Sequence, residues 1–112
     1  MKALDLNKAK RLSFPVTMMD DAQTVFNLTI PTVDVIKELK GIGTELTSAT
    51  TGDQDAVDSC FEVAAKLFSC NRLRKPVTVE QLKVDYKMEL EDLILFFGAY
   101  LEFITELTKA KN

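Results

Sequence analysis

The chain has 112 residues, of which 46% are hydrophobic and 28% charged, and its formal net charge is −3. This length and apolar content predict a single domain, 1–112, with its own core, and exclude a disordered chain. The longest apolar run, residues 93–101, is too short for the roughly 20 residues of a membrane span, and no apolar signal segment is expected at the start. Histidine is absent, which removes the usual general base and the commonest metal ligand.

Residues 1–30 predict a β-hairpin. Apolar and polar residues alternate over 12–18, residues 20–23 form a short polar connection, and residues 24–30 are rich in β-branched and aromatic types. Pro15 lacks an N–H group, so its strand is predicted to lie at an edge or to carry a bulge, and a short third strand around Leu4 and Leu6 is left open. The inward positions are Leu12, Phe14, Val16 and Met18 on the first strand and Phe26, Leu28 and Ile30 on the second.

The remainder, residues 32–110, predicts helices. A first helix is capped by Thr32 and continues to about Leu46, and the Ser-, Thr- and Gly-rich residues 47–54 predict a surface loop. The later helices are predicted from Asp55 to Asn71, from Thr78 onward with Gln81 completing a capping box, and from Glu89 to Ala110. The expected fold class is therefore α+β, mainly α, with the hairpin packed on a four-helix bundle-like core.

The sequence gives no indication of catalysis. It contains no phosphate-binding G-x-x-x-x-G-K-[ST] loop, no G-x-G-x-x-G and no G-x-S-x-G. Asp53, Asp55 and Asp58 resemble the start of a calcium loop, but the twelfth position holds Ala64 instead of a carboxylate. Cys60 and Cys70 are too few for a structural zinc site and are expected to be free thiols. We therefore expect a protein that is not an enzyme and has no cofactor or metal.

A basic cluster, Arg72, Arg74 and Lys75, connects the second and third predicted helices. One interpretation is a solvated connection, and another is a patch for an anion or an acidic partner. With Lys83 and Lys87, the segment 72–87 also allows a helix-turn-helix. The acidic balance of the whole chain argues against a nucleic-acid partner.

The last predicted helix carries two apolar stripes, which together cover more of its circumference than a surface helix needs. One interpretation is a central helix wrapped by the others. The alternative is that part of this surface meets another protein. Gly98 inside the helix suggests that a neighbouring backbone approaches closely. The residues proposed for partner contact are Phe96, Tyr100, Phe103 and Leu107.

Four stretches of the sequence resemble the small tail assembly chaperones of long-tailed bacteriophages and prophages of Gram-positive bacteria. The first is a strand-to-helix junction and the last is the apolar centre of the final helix. The stretches are residues 28–39, which begin Leu-Thr-Ile-Pro-Thr, residues 64–72 (Ala-Ala-Lys-Leu-Phe-Ser-Cys-Asn-Arg), residues 77–82 (Val-Thr-Val-Glu-Gln-Leu) and residues 96–104 (Phe-Phe-Gly-Ala-Tyr-Leu-Glu-Phe-Ile).

The resemblance implies an assembly factor that binds the tape measure protein, helps to recruit tail tube subunits and leaves before the virion is complete. It also implies a mainly helical fold and a location in the cytoplasm of the bacterial host. Two other classes stay open: a small DNA-binding regulator that uses residues 72–87, and a structural head or tail protein that remains in the particle. The excess of apolar helix surface is also compatible with a homo-oligomer, and no membrane partner is expected.

Overall fold

The computed structural model describes residues 13–110, and the side chains of residues 13–106. An antiparallel hairpin of β1 (Phe14–Thr17) and β2 (Val25–Leu28) precedes a helical region, which confirms the predicted mainly helical α+β class. The helices are α1 (Val33–Lys40), α2 (Ile42–Thr50), α3 (Gln54–Ser69), the π-helical turn α4 (Gln81–Asp85) and α5 (Leu90–Ala110).

The hairpin follows the alternation in the sequence. Phe14 pairs with Leu28 and Val16 with Phe26, and the side chains of these residues lie against the helices. Ile30 is an exception, since β2 ends at Leu28 and the Ile30 side chain is exposed. The turn is fixed by Asp20, whose carboxylate accepts hydrogen bonds from the Thr24 amide (2.8 Å) and hydroxyl (2.6 Å). The suggested strand around Leu4 and Leu6 lies outside the described residues.

The two edges of the hairpin differ. Beyond β2, the Arg72 amide donates to the Asn27 oxygen (3.0 Å) and the Thr29 amide to the Cys70 oxygen (2.8 Å). The backbone of Asn27 therefore faces this segment, and the backbone of its pairing partner, Pro15, faces the opposite, outer edge of β1. Pro15 has no N–H to leave unpaired there, which confirms the predicted edge position.

The first predicted helix is divided, and the loop predicted at residues 47–54 is wrong over most of its length. Helix α1 ends at Lys40, Gly41 intervenes, and α2 extends to Thr50, leaving only residues 51–53 as a connection. The threonines do not interrupt α2 because their hydroxyls return to the helix backbone, as Thr47 does to the Gly43 oxygen (3.0 Å). Ala49 is buried and holds this last part of α2 against the core.

Helix α3 is central to the fold. Its N-cap is Asp53, whose carboxylate accepts from the amides of Asp55 (3.0 Å) and Ala56 (3.2 Å). Helices α1, α2 and α5 and strand β2 all pack against α3. The α3 side chains without exposed surface are Cys60, Ala64, Leu67 and Phe68.

The segment between α3 and α5 does not form the helix-turn-helix considered above. The predicted capping box is present, since the Thr78 amide donates to Gln81 Oε1 (2.9 Å) and the Gln81 amide to Thr78 Oγ1 (3.1 Å). The helix that follows is nevertheless only the short turn α4, and its Lys83 lies over the ring of Phe61 (4.8 Å). A turn of this length is too short for a recognition helix.

Asn71 organises the chain after α3. Its side chain is buried, and its Nδ2 donates to the oxygens of Phe68 (2.7 Å) and Lys75 (2.8 Å) while its Oδ1 accepts from the Lys75 amide (3.0 Å). Its backbone also forms a bridge with Leu28 of β2. One side chain thus satisfies the end of α3 and fixes the loop that covers the β2 edge.

We predict that Asn71→Ala lowers the free energy of unfolding by about 2–3 kcal/mol, because it leaves buried backbone groups without partners. Urea denaturation measures the change. The matched control is Asn27→Ala at an exposed site of β2, where we expect a change of about 0.5 kcal/mol or less. Equal losses in the two variants would contradict this role for Asn71.

Candidate interaction surfaces

The structure corrects the prediction that Phe96 and Tyr100 are available to a partner. Phe96 is 7% exposed and stacks on Phe68 of α3, with ring centroids 4.6 Å apart, and Tyr100 has no exposed surface. Phe103 is half-buried and stacks on Phe14 of β1 (5.3 Å). The side chain of Leu107 lies outside the described residues. The described part of the predicted partner surface is therefore mostly core, because the hairpin and α3 cover this side of α5.

Tyr100 links α5 to the junction between β2 and α1. Its hydroxyl donates to the Thr29 oxygen (3.1 Å), and its ring contacts Phe14 edge-on (5.9 Å). Burial raises the pKa of the Tyr100 hydroxyl well above its ordinary value, and the nearby Cys70 raises this pKa further. The folded protein therefore favours the protonated, hydrogen-bonding form.

The opposite side of α5 faces solvent and is partly apolar. Leu95 is 73% exposed, and Ala99, one turn later, is also exposed. Gly98 lies beside them, and apart from its chain neighbours and its own helix backbone no described atom would lie within 4 Å of a Cβ at this position. No backbone of another described element therefore approaches Gly98 closely, and the expected close approach is wrong for residues 13–110. Leu95 belongs to neither predicted stripe, and this is the signal in the sequence that it faces outward. The stripes are Leu90, Ile94, Phe97, Leu101 and Ile104, and Leu93, Phe96, Tyr100, Phe103 and Leu107.

An open groove separates this side of α5 from β1, and we refer to it as the β1–α5 groove. It has a cavity volume of about 330 Å³. One wall is β1 with the residues that follow it, and the other is the first half of α5. The lining residues are Phe14, Pro15, Val16, Thr17, Met18, Met19, Met88, Asp92, Leu95, Phe96 and Ala99.

The described charged residues of α5 and of the hairpin turn beside the β1–α5 groove are acidic, while the exposed Lys87 precedes the lining residue Met88. The charged side chains of α5 that the structure describes are Glu91, Asp92, Glu102 and Glu106. Asp92 lies in the groove, and its Oδ2 accepts from the Glu89 amide (2.8 Å), which caps the helix. Asp20, just after Met19, has a pKa below its usual value because the Thr24 hydroxyl and amide donate to its carboxylate. The groove therefore combines an apolar lining with a negative border.

The basic cluster lies at the other edge of the hairpin. Arg72, Arg74 and Lys75 are exposed, and Arg74 adopts a left-handed backbone conformation (φ 56°) in the turn that Asn71 holds. A smaller cavity of about 110 Å³ there is lined by Arg72 and Lys75 together with Tyr86. This position agrees with a solvated connection and also with a patch for an acidic partner, the two interpretations left open above.

The residues considered for catalysis or metal binding are either far from one another or have structural roles. Cys60 is buried in α3, where burial and the nearby Glu45 raise the pKa of its thiol, and Cys70 is partly exposed after the end of α3. Within residues 13–110, no group of three or more acidic or cysteine side chains is placed to hold a metal ion. No helix in the same range is long and apolar enough to cross a membrane.

Comparison with known proteins gave no matches. No family model, no curated protein sequence and no solved structure matches the chain.

We predict that Tyr100→Phe lowers the free energy of unfolding at neutral pH by about 1 kcal/mol, through loss of the hydrogen bond to Thr29. Because the pKa of Tyr100 is higher in the folded than in the unfolded chain, the contribution of its hydroxyl is complete below about pH 10 and declines as the pH rises further. The difference between wild type and Tyr100→Phe should therefore shrink above pH 10, by up to about 1.4 kcal/mol per pH unit.

Urea denaturation of both proteins from pH 7 to pH 11.5 measures this difference. All other side chains are identical in the two proteins, so their effects cancel in the comparison. A difference that stays constant above pH 10 would show that the Tyr100 hydroxyl is not protected from ionisation in the folded state.

Proposed function

We propose that the protein is a tail assembly chaperone of a long-tailed bacteriophage or prophage, which binds the tape measure protein and helps to recruit tail tube subunits. The observation that carries the proposal is the β1–α5 groove, an open apolar surface on a folded domain. A groove lined by Leu95, Ala99 and the apolar residues of β1 suits the binding of a protein segment better than the conversion of a small molecule. The mainly helical fold with a small β-element agrees with the family that the sequence resembles.

In this proposal the chaperone acts by covering apolar surface. The tape measure protein of such phages is long and helical, and its apolar stripes aggregate unless they are covered. A reversible contact in the β1–α5 groove shields one such stripe until tail tube subunits replace the chaperone. The protein acts in the host cytoplasm, is not an enzyme, and is absent from the finished particle.

Co-expression tests the proposal. The tape measure protein encoded beside this chain is expressed alone, with this chain, and with an unrelated acidic helical protein of similar size as the control. We expect the yield of soluble tape measure protein to increase severalfold when this chain is co-expressed, and not when the control protein is. We also expect the two proteins to co-purify, because covered apolar stripes no longer aggregate. No co-purification and no gain in solubility would overturn the assignment.

Mass spectrometry of purified virions separates the chaperone from a structural head or tail protein. A chaperone is present in the lysate and absent from the particles. Stoichiometric recovery of the chain from the particles would favour the structural class instead.

A further inference from the structure

We propose that the β1–α5 groove binds a basic amphipathic helix, that is, a helix whose apolar stripe is bordered by lysine or arginine. This inference deepens the proposed function by naming the chemistry of the segment that the groove accepts. It depends on three observations: the apolar lining of the groove, the edge of β1 and the charges of α5.

The exposed apolar residues at the groove identify it as a binding surface. Leu95 on α5 and Met19 after β1, which is 53% exposed, lie on opposite walls. The half-buried Val16 and the buried Phe96 lie between them. Other exposed apolar residues, such as Leu73 and Val84, do not line this groove. An apolar stripe placed here would contact both walls at once.

The edge of β1 favours a helix over an added strand. A strand that joins a sheet edge needs the outward N–H and C=O groups of that edge. At the outer edge of β1 the outward backbone positions are Pro15 and Thr17, so Pro15 removes one of the two N–H groups that an added strand would use. The α5 wall is instead suited to a helix, because Gly98 and Ala99 leave space beside Leu95 for a second helix to approach closely.

The charges determine which helix fits. Glu91 and Glu102 flank the exposed side of α5, and Asp92 lies within the groove. An acidic segment would meet like charges, whereas lysine or arginine beside an apolar stripe would be paired with these carboxylates. A second copy of this chain would bring its own acidic α5 to the groove, so the charges disfavour α5-to-α5 association.

The test uses the full chain and synthetic helical peptides of about 18 residues, long enough to form a helix. The first peptide contains leucine and lysine with leucines at helical three- and four-residue spacing. The second carries glutamate in place of lysine, and the third has the first composition in scrambled order. We expect the first peptide to bind at least about tenfold more tightly than the others by fluorescence anisotropy, with an affinity that falls as salt is added. Equal binding of the first two peptides would overturn the charge argument.

Point variants locate the site. We expect Leu95→Lys to weaken binding of the first peptide at least about tenfold, since it puts a positive charge into the apolar wall. The matched control is Leu73→Lys, because Leu73 is also 73% exposed but lies at the other edge of the hairpin. This control should change the affinity less than about twofold. Both sites are exposed, so both variants should fold. Circular dichroism and thermal unfolding check that they do. Equal effects of the two substitutions would overturn the assignment to this groove.

A second, independent set of variants removes the charge of glutamate side chains without changing their shape. Glu91→Gln combined with Glu102→Gln should weaken binding severalfold and reduce its salt dependence. The control, Glu62→Gln combined with Glu80→Gln at exposed sites outside α5, should do neither.

If light scattering shows a stable wild-type dimer that Leu95→Lys converts to monomer, the occupant is a second copy and the proposal is wrong.

The same variants distinguish this inference from the proposed function. If the tape measure protein co-purifies with Leu95→Lys as well as with wild type, the function stands and the groove assignment is overturned. If wild type binds the leucine–lysine peptide through the groove but does not co-purify with the tape measure protein, the inference stands and the proposed function fails.

Discussion

The side chain of Phe68, near the end of α3, has no exposed surface and contacts both β2 and α5. It meets Phe26 of β2 edge-on at 5.7 Å and stacks on Phe96 of α5 at 4.6 Å. A two-stranded hairpin is marginal in water by itself, so the hairpin depends on these aromatic contacts for its stability. The same stack fixes Phe96, which lines the β1–α5 groove, against α3.

Much of the fold could be predicted from local chemistry. The hairpin alternation, the edge position of Pro15 and the reciprocal capping of Thr78 and Gln81 all follow from interactions between residues close in sequence. These predictions are confirmed because each depends on backbone geometry that a few neighbouring residues determine.

The errors have a different origin, since they concern contacts between distant residues. Residues 47–50 have a loop-like composition, but the burial of Ala49 against the core keeps them helical. Periodicity identified the apolar stripes of α5 but not which of their residues other elements cover. Phe96 and Tyr100 were predicted to contact a partner, and only the placement of α3 and the hairpin buries them.

The exposed apolar side of α5 is a consequence of how the core is built. Consecutive residues of a helix point about 100° apart, so inward positions for Phe96 and Phe97 direct Leu95 away from α3. No described element covers that side, and Pro15 on β1 withholds one of the two outward N–H groups that an added strand would use there. The described charged residues of α5 are all acidic, so the proposal that a basic helix binds here also implies that a second α5 is disfavoured. In that proposal, stability and binding depend on different sides of one helix, so the solvent-facing side is open to substitution without loss of the core.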